Sequence, residues 1–367
     1  MSGGVDSSVA ASLLVEAGYD CVGVFMRHAP PALPPEPAPA GGLPILPSAP
    51  NPRAGHQGCC SVADAIDARR VADRLGIPLF ALDLSDEFDR IIAAFVAEYG
   101  RGRTPNPCVR CNAWIKFGRL FDHADAIGAT HVATGHYARL ALTPEGRPRL
   151  SRGLDAGRDQ SYVLFDVSPA RLRRMLLPVG GMAKDDVRRH AARLGLVTAD
   201  KPDSQEICFV PPGEHARLVA HRLGGSRAGE IVTLRGEVLG RHPGIEHFTV
   251  GQRHGLRLAV GRPLYVVRIE PDSCRVVVGG RDDVPQSRLV AGEASWVGDA
   301  PTAAFACMVQ CRAQRGPAPA VVTPLGPDRF EARFTGGPDQ SPGPISPGQP
   351  AVCYAGDELL GGGWIEG

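Results

Sequence analysis

Met1-Ser2-Gly3-Gly4-Val5-Asp6-Ser7-Ser8 is followed at once by an apolar run with helical spacing, Val9, Ala10, Leu13, Leu14 and Ala17. Two adjacent glycines let the backbone turn tightly and bring N–H groups close to an anion. The helix behind them points its free N–H groups and the positive end of its dipole at the same spot. The serine hydroxyls add donors. Such a loop cradles phosphate, and in a strand–loop–helix unit it implies a parallel α/β sheet. It is not a Walker loop, which needs G-x-x-x-x-G-K-[ST]. The plain alternative is a glycine turn with no ligand. A loop of this kind follows a central parallel strand, and no strand residues precede it here. The expectation is a mis-assigned start, with a short Val/Ile-rich strand encoded upstream of Met1.

Strands and helices alternate beyond the loop. Residues 19–26 predict a buried parallel strand, 61–75 a helix, 77–84 a strand and 86–99 a helix. The last carries Phe88, Ile91, Ile92, Phe95, Val96 and Tyr99 at i, i+3, i+4 spacing. Residues 102–112 hold two prolines and predict a loop, followed by a helix to about Ile127 and a strand over 130–134. Helices are expected near 169–177 and 184–195, then a loop from Pro202 leading into a strand. The alternation predicts a doubly wound parallel sheet, with ligands beyond the strand C-terminal ends.

After about residue 213 the pattern changes to short strands with glycine turns: 231–234, 247–250, 263–269 and 275–279. The organisation read from this is an α/β catalytic domain over 1–212, a small β-rich domain over 213–284 and a C-terminal β-barrel over 285–367. A Pro-rich insertion at 28–57 interrupts the first. Ten of the chain's 34 prolines fall between 30 and 52, so that stretch cannot build a core and reads as a surface loop.

The 367 residues carry a net charge of +1, so contacts with nucleic acid must come from local patches. Basic residues are nearly all arginine; Lys116, Lys184 and Lys201 are the lysines. No run of 18 apolar residues and no signal peptide is visible, which argues for a cytoplasmic, non-membrane protein. Ten cysteines in a chain of this length do not form a disulfide scaffold.

Cys108-Val109-Arg110-Cys111 is a C-x-x-C on an irregular loop, and Cys208 lies far along the chain. A C-x-x-C can be a redox pair, half a zinc site or part of an iron–sulfur site. No second C-x-x-C or H-x-x-x-H completes a zinc site. Cys59 and Cys60 are too close in sequence to chelate one ion together. Cys21, Cys274, Cys307 and Cys353 read as small core residues. His28, His56, His215, His221 and His242 read as solvated. The arginines at 171, 173, 174, 188, 189 and 193 read as helix faces, solvated or meeting phosphate.

S-G-G-V-D-S-S resembles the pyrophosphate loop of the N-type ATP pyrophosphatases, which cleave ATP between its α and β phosphates. G-R-T-P-N-P-x-x-x-C-N, A-T-G-H-Y, D-Q-S-Y, I-C-F, H-x-x-x-G-Q-R-x-G-L, P-G-Q and L-G-G-G-W-I then follow in order to Ile365. Together these resemble the bacterial tRNA-specific 2-thiouridylases, across nearly the whole chain except about residues 28–57. The resemblance implies an enzyme that adenylylates O2 of the wobble uridine and replaces it with sulfur. It implies ATP, with Mg2+, held by Ser2, Gly3, Gly4, Val5, Asp6, Ser7, Ser8, Met26 and Gly135. It implies tRNA contacts at Asn106, Pro107, Cys108, His136, Arg158, Asp159, Gln160, Arg312, Ala313 and Gln349. It implies Cys111 as nucleophile, Cys208 as persulfide carrier, and an upstream protein that donates sulfur.

The residues suit that chemistry. A uridine carbonyl has a poor leaving group, and adenylylation makes it AMP. The base must leave the anticodon stack, and Tyr137 or Trp114 is either a stacking partner for it or a core residue. Much of the family has Asp where this chain has Cys108, which puts a general acid–base role there in question. Three thiols could instead hold a [4Fe–4S] cluster, the alternative to a persulfide. A different ATP pyrophosphatase would need no paired cysteines. A non-catalytic tRNA-binding relative would keep the RNA contacts without the reaction.

Overall fold

The computed structural model describes residues 1–28, 61–203, 207–210 and 213–366. The Pro-rich stretch from residue 29 on, His56, Cys59, Cys60 and part of the loop before Cys208 lie outside the described residues.

The first domain is α/β. Helix α1 (Val5–Glu16) leads to β1 (Gly23–Arg27), α2 (Val62–Leu75), β2 (Leu79–Asp83) and α3 (Ser85–Gly100). Local signals account for the helix ends. Ser61 caps α2 in a capping box with Asp64, and Gly76 closes it at φ 68°. The apolar stripe of α3 is buried as its spacing predicts, from Phe88 to Tyr99. Strand β1 starts later than expected; Tyr19 and Val22 are exposed instead.

The loop 102–106 gives way to α4 (Pro107–Arg110), a π-helix over Cys111–Arg119 and α5 (Leu120–Ala126). Then come β3 (Val132–Ala133), the hairpin β4 (Ala138–Leu142) and β5 (Pro148–Arg152), α6 (Pro169–Leu172), β6 (Met175–Leu176) and α7 (Lys184–Arg193). The helix expected over 169–177 stops after one turn. Met175 and Leu176 pair in parallel with Val132 and Ala133, and that tertiary pairing overrides the local pattern.

The parallel sheet stands as two pairs, β1–β2 and β3–β6. Between them runs a cleft with Val22, Gly23 and Val24 on one side and His131, Val132 and Ala133 on the other. The Met1 ammonium donates to the Val24 carbonyl.

Helix α8 (His215–Leu223) stands where the loop from Pro202 was expected to lead into a strand. It buries Leu218 and Val219 in the cluster that also holds Ile91 and Phe95. The middle domain is a four-stranded sheet in the order β8 (Val238–His242), β7 (Gly229–Thr233), β10 (Arg275–Gly279), β9 (Tyr265–Glu270). The strand expected over 247–250 is not formed. Ile245 and Phe248, three apart, enter the core from a 3-10 turn instead.

The C-terminal strands are β11 (Arg288–Trp296), β12 (Phe305–Gln310), β13 (Ala318–Gly326), β14 (Arg329–Phe334), β15 (Pro350–Ala355) and β16 (Glu358–Ile365). They run in the order β11-β14-β13-β12-β15-β16, and β16 pairs back onto β11, so the barrel closes on six strands. The β4–β5 hairpin of the first domain extends it through Ser151 opposite Glu358.

Candidate functional site

The phosphate-type loop is built as its residues dictate. Gly3 has φ +69°, and a Cβ there would overlap the Asp64 carbonyl. Gly4 is the N-cap of α1, and no side chain caps that end. The hydroxyls of Ser2 and Ser7 lie 3.1 Å apart, and the Ser2 N–H donates to Ser7 Oγ at 3.1 Å. Ser2, Gly4, Val5, Asp6 and Ser7 line a cleft of about 1280 Å³, with Met26 and Gly135. Gly135 presses against the loop; a Cβ there would sit 2.6 Å from the Asp6 carbonyl carbon. Ser8 does not face the cleft. It is buried and its hydroxyl donates to the Gly4 carbonyl at 2.8 Å.

Charges converge on the mouth of this loop. Lys184 Nζ lies 2.8 and 2.9 Å from the two Asp6 oxygens and 2.7 Å from Asp203 Oδ1. The Tyr137 hydroxyl donates to Asp6 Oδ1 at 2.7 Å, and burial with that bond pushes its pKa far up. Burial works against an ionised Asp203. The Lys184 hydrogen bond and the charges of Lys184, Arg158 and Arg188 outweigh it and hold the carboxyl below its usual range. Lys201 Nζ contacts Asp64 at 2.6 Å and Asp67 at 2.7 Å. Burial opposes its charge too, but those two carboxylates prevail and raise its pKa. His136 is buried, and burial together with the Lys116 charge lowers its pKa well below the usual value. It is therefore neutral at pH 7.

The thiols reach the same cleft. Asn106 is the N-cap of α4, Pro107 its first residue, and Cys108 and Cys111 follow within one turn. Cys108 is exposed, Cys111 and Cys208 half-buried, and all three line the cleft. Cys111 and Cys208 pack against one apolar cluster with Met26, Trp114 and Ile207. Short π-helical segments often mark functional sites, and this one begins at Cys111. Asn112 anchors it by donating to the Val163 carbonyl at 3.0 Å. Among the described residues no three His, Cys, Asp or Glu side chains are grouped to hold a metal ion.

The residues expected to touch RNA divide. Pro107, Cys108, His136, Arg158, Asp159, Gln160 and Ala313 line the cleft. Asp159, however, is tied to Arg152 at 2.7 Å and to the N–H groups of Gly153 and Ser161. Gln160 accepts from the Tyr137 N–H at 3.0 Å. Asn106, Arg312 and Gln349 are not among the residues that line the cleft. Arg312 donates to the Val250 carbonyl and Ser346 Oγ, and Gln349 to the Thr104 carbonyl. Tyr137 is buried in the cluster of α1 and α7 and also borders the cleft, and the guanidinium carbons of Arg90 and Arg110 lie 5.4 and 5.2 Å from the centre of the Trp114 ring. His28, stacked 3.8 Å from Phe88, and His242 are buried rather than solvated.

Sequence reading missed Lys184, Lys201 and Asp203 as site residues. A signal existed: the three lysines of this arginine-rich chain all line the cleft.

Comparison with known proteins covers nearly the whole chain. The family descriptions that match are a tRNA methyl transferase HUP domain over 1–34 and 46–212, a tRNA methyl transferase PRC-barrel domain over 217–280 and an aminomethyltransferase beta-barrel domain over 286–365. A tRNA-specific 2-thiouridylase MnmA of Rhodopirellula baltica is 48% identical, over all of this chain and 94% of the relative. Proteins of the same name from Carboxydothermus hydrogenoformans and Geobacter metallireducens are 43% and 44% identical, over all of this chain and 96% and 95% of theirs.

Proposed function

From the premise that this chain belongs to the tRNA-specific 2-thiouridylase family, we propose that it activates the wobble uridine with ATP and delivers sulfur from a cysteine persulfide. As a member it is an enzyme, a tRNA sulfurtransferase whose substrate is tRNA. The finer chemistry rests on one observation above all. Ser2, Gly4, Val5, Asp6 and Ser7 of the loop and the thiols Cys111 and Cys208 line one cleft.

The reaction needs both halves. O2 of uridine attacks the α phosphorus of ATP, pyrophosphate leaves, and C2 then carries AMP as its leaving group. The uncapped N-terminus of α1 and the serines of the loop suit the phosphates. Asp6, a carboxylate within the loop itself, would suit a cation that accompanies them. The outer sulfur of a Cys208 persulfide attacks C2, and AMP departs with the oxygen. The Cys111 thiolate attacks Cys208 Sγ, the S–S bond breaks, and the sulfur stays on C2 as the thione. The resulting Cys111–Cys208 disulfide takes two electrons from a reductant. The shared apolar cluster of Cys111 and Cys208 supports this pairing. A sulfur-carrying protein recharges Cys208.

In the cleft, Pro107, Cys108, His136, Arg158 and Gln160 would meet the target nucleotide. The test is to incubate the protein with tRNA, ATP and a persulfide donor. Thiolated tRNA should appear, with one AMP per sulfur. AMP without thiolation, or thiolation without ATP, would overturn the scheme.

A further inference from the structure

Forty residues of this chain are Lys or Arg, and the three lysines all line the cleft beside the phosphate-type loop. The two side chains are not equivalent. Arginine offers a rigid planar fork, whereas lysine is a compact point charge on a flexible stem that can turn between partners. Lysine's confinement to this cleft, in a chain that otherwise uses arginine, invites an account of what each one does there.

Lys184 has the most demanding position. It opens α7, and its backbone N–H is held by Asp155 Oδ2 at 3.0 Å. Its side chain is 9% exposed. The ammonium makes three short contacts, two to Asp6 and one to Asp203. An ammonium has three N–H donors, so these contacts use all of them. Asp6 is in the first turn of α1, directly beside the loop. Asp203 has other cations, Arg158 at 2.8 Å and Arg188 at 3.3 Å. Asp6 has the Tyr137 hydroxyl but no second ion pair among the described residues. The pair Asp6–Lys184 is thus the exchangeable part of the network, and Asp203 stays neutralised without it.

We propose that Lys184 is a phosphate ligand held in reserve: it keeps Asp6 in place before nucleotide binds and then turns its ammonium to the β and γ phosphates. Asp6 is then released to the divalent cation that travels with those phosphates. Such a cation takes only one or two protein carboxylates beside phosphate oxygens and water. Lys201 is paired instead with Asp64 and Asp67 on α2, away from Asp6. The inference rests on the nucleotide reading proposed above and adds the residue that recognises the pyrophosphate end.

The experiment is calorimetric binding of α,β-methylene-ATP and of AMP, each with Mg2+, to the full chain and to Lys184→Met and Lys184→Arg. Lys184→Met should weaken the triphosphate analogue about 10- to 100-fold, the range roughly expected for one charge-assisted contact. AMP, which lacks the β and γ phosphates, should bind both proteins alike. Lys184→Arg keeps the charge but replaces a compact point charge by a planar fork; its triphosphate affinity should fall between those of the full chain and Lys184→Met, and its AMP affinity should match the full chain. If Lys184→Met fails to fold, checked by thermal unfolding, Lys184→Arg decides alone. Unchanged triphosphate affinity, or an equal loss for AMP and the triphosphate, overturns the proposal. If the unaltered chain binds neither ligand, the nucleotide reading falls and this inference with it, a result distinct from normal binding that the variants fail to change.

Discussion

The guanidinium carbon of Arg110 lies 4.2 Å from the centre of the Trp364 ring, which fastens the cysteine-bearing turn to the last strand of the C-terminal barrel. Arg110 stands between Cys108 and Cys111 in sequence. It also reaches Asp166 at 3.5 Å and Glu293 at 2.8 Å. The turn that carries the thiols is therefore held from two domains. Arg110→Lys keeps the charge and loses the flat stack and the fork. Thermal unfolding should show a loss of about 1 kcal/mol, and Cys111 should alkylate faster. An unchanged alkylation rate would show that the clamp does not position the thiol.

Asp166 gives a pH dependence. Burial raises its carboxyl pKa to about 6, the Glu293 charge adds to this, and Arg110 opposes it. The folded state thus holds this proton more tightly than the unfolded chain. Its stabilising effect is full below the ordinary carboxylate pKa and is lost as pH rises through about 6. Asp166→Asn should match the unaltered protein near pH 4 and exceed it above pH 7, by at most about 3 kcal/mol. Unfolding curves at the two pH values check this; a variant less stable at both would show that the Arg110 pair outweighs burial.

Asp6→Ala or Ser7→Ala should cut AMP formation about 10²- to 10³-fold, because groups placed at the phosphates act most in the transition state. Binding of tRNA, measured by filter retention, should change little. An equal loss of tRNA affinity would make the loop a structural element.

The three thiols should separate cleanly. Cys208→Ser cannot carry sulfur and Cys111→Ser cannot release it, so both should give no thiolated tRNA. Cys108 is exposed on the cleft wall. Cys108→Ser should retain activity, with at most the roughly 10²- to 10⁴-fold loss of an acid–base group. Complete loss in Cys108→Ser, together with visible absorption in anaerobically purified protein, would sink the persulfide route in favour of a cluster.

Much of this protein was legible in order along the chain. Two glycines before an apolar helical run specify the loop and α1, because the constraint is local: a backbone conformation at Gly3 and a helix start at Gly4. The stripe from Phe88 to Tyr99 specifies α3 for the same reason, since side chains three and four apart share a face wherever the helix lies. The cysteines were visible as residues. What they meet was not, because their placement depends on contacts between segments far apart in sequence. Residues 175–176 become a strand only because Val132 and Ala133 offer a parallel edge. Helix α8 docks on α3 across more than a hundred residues. The Ser151–Glu358 pairing joins the first domain to the barrel, and no periodicity in either strand encodes that partner. Lys184 sits on a helix that sequence could place, yet its role follows from an ammonium ending 2.8 Å from Asp6, 178 positions away. Short-range backbone preference and periodic burial are written into neighbouring residues; the meeting of distant charges is decided only when the tertiary fold brings them out of water together.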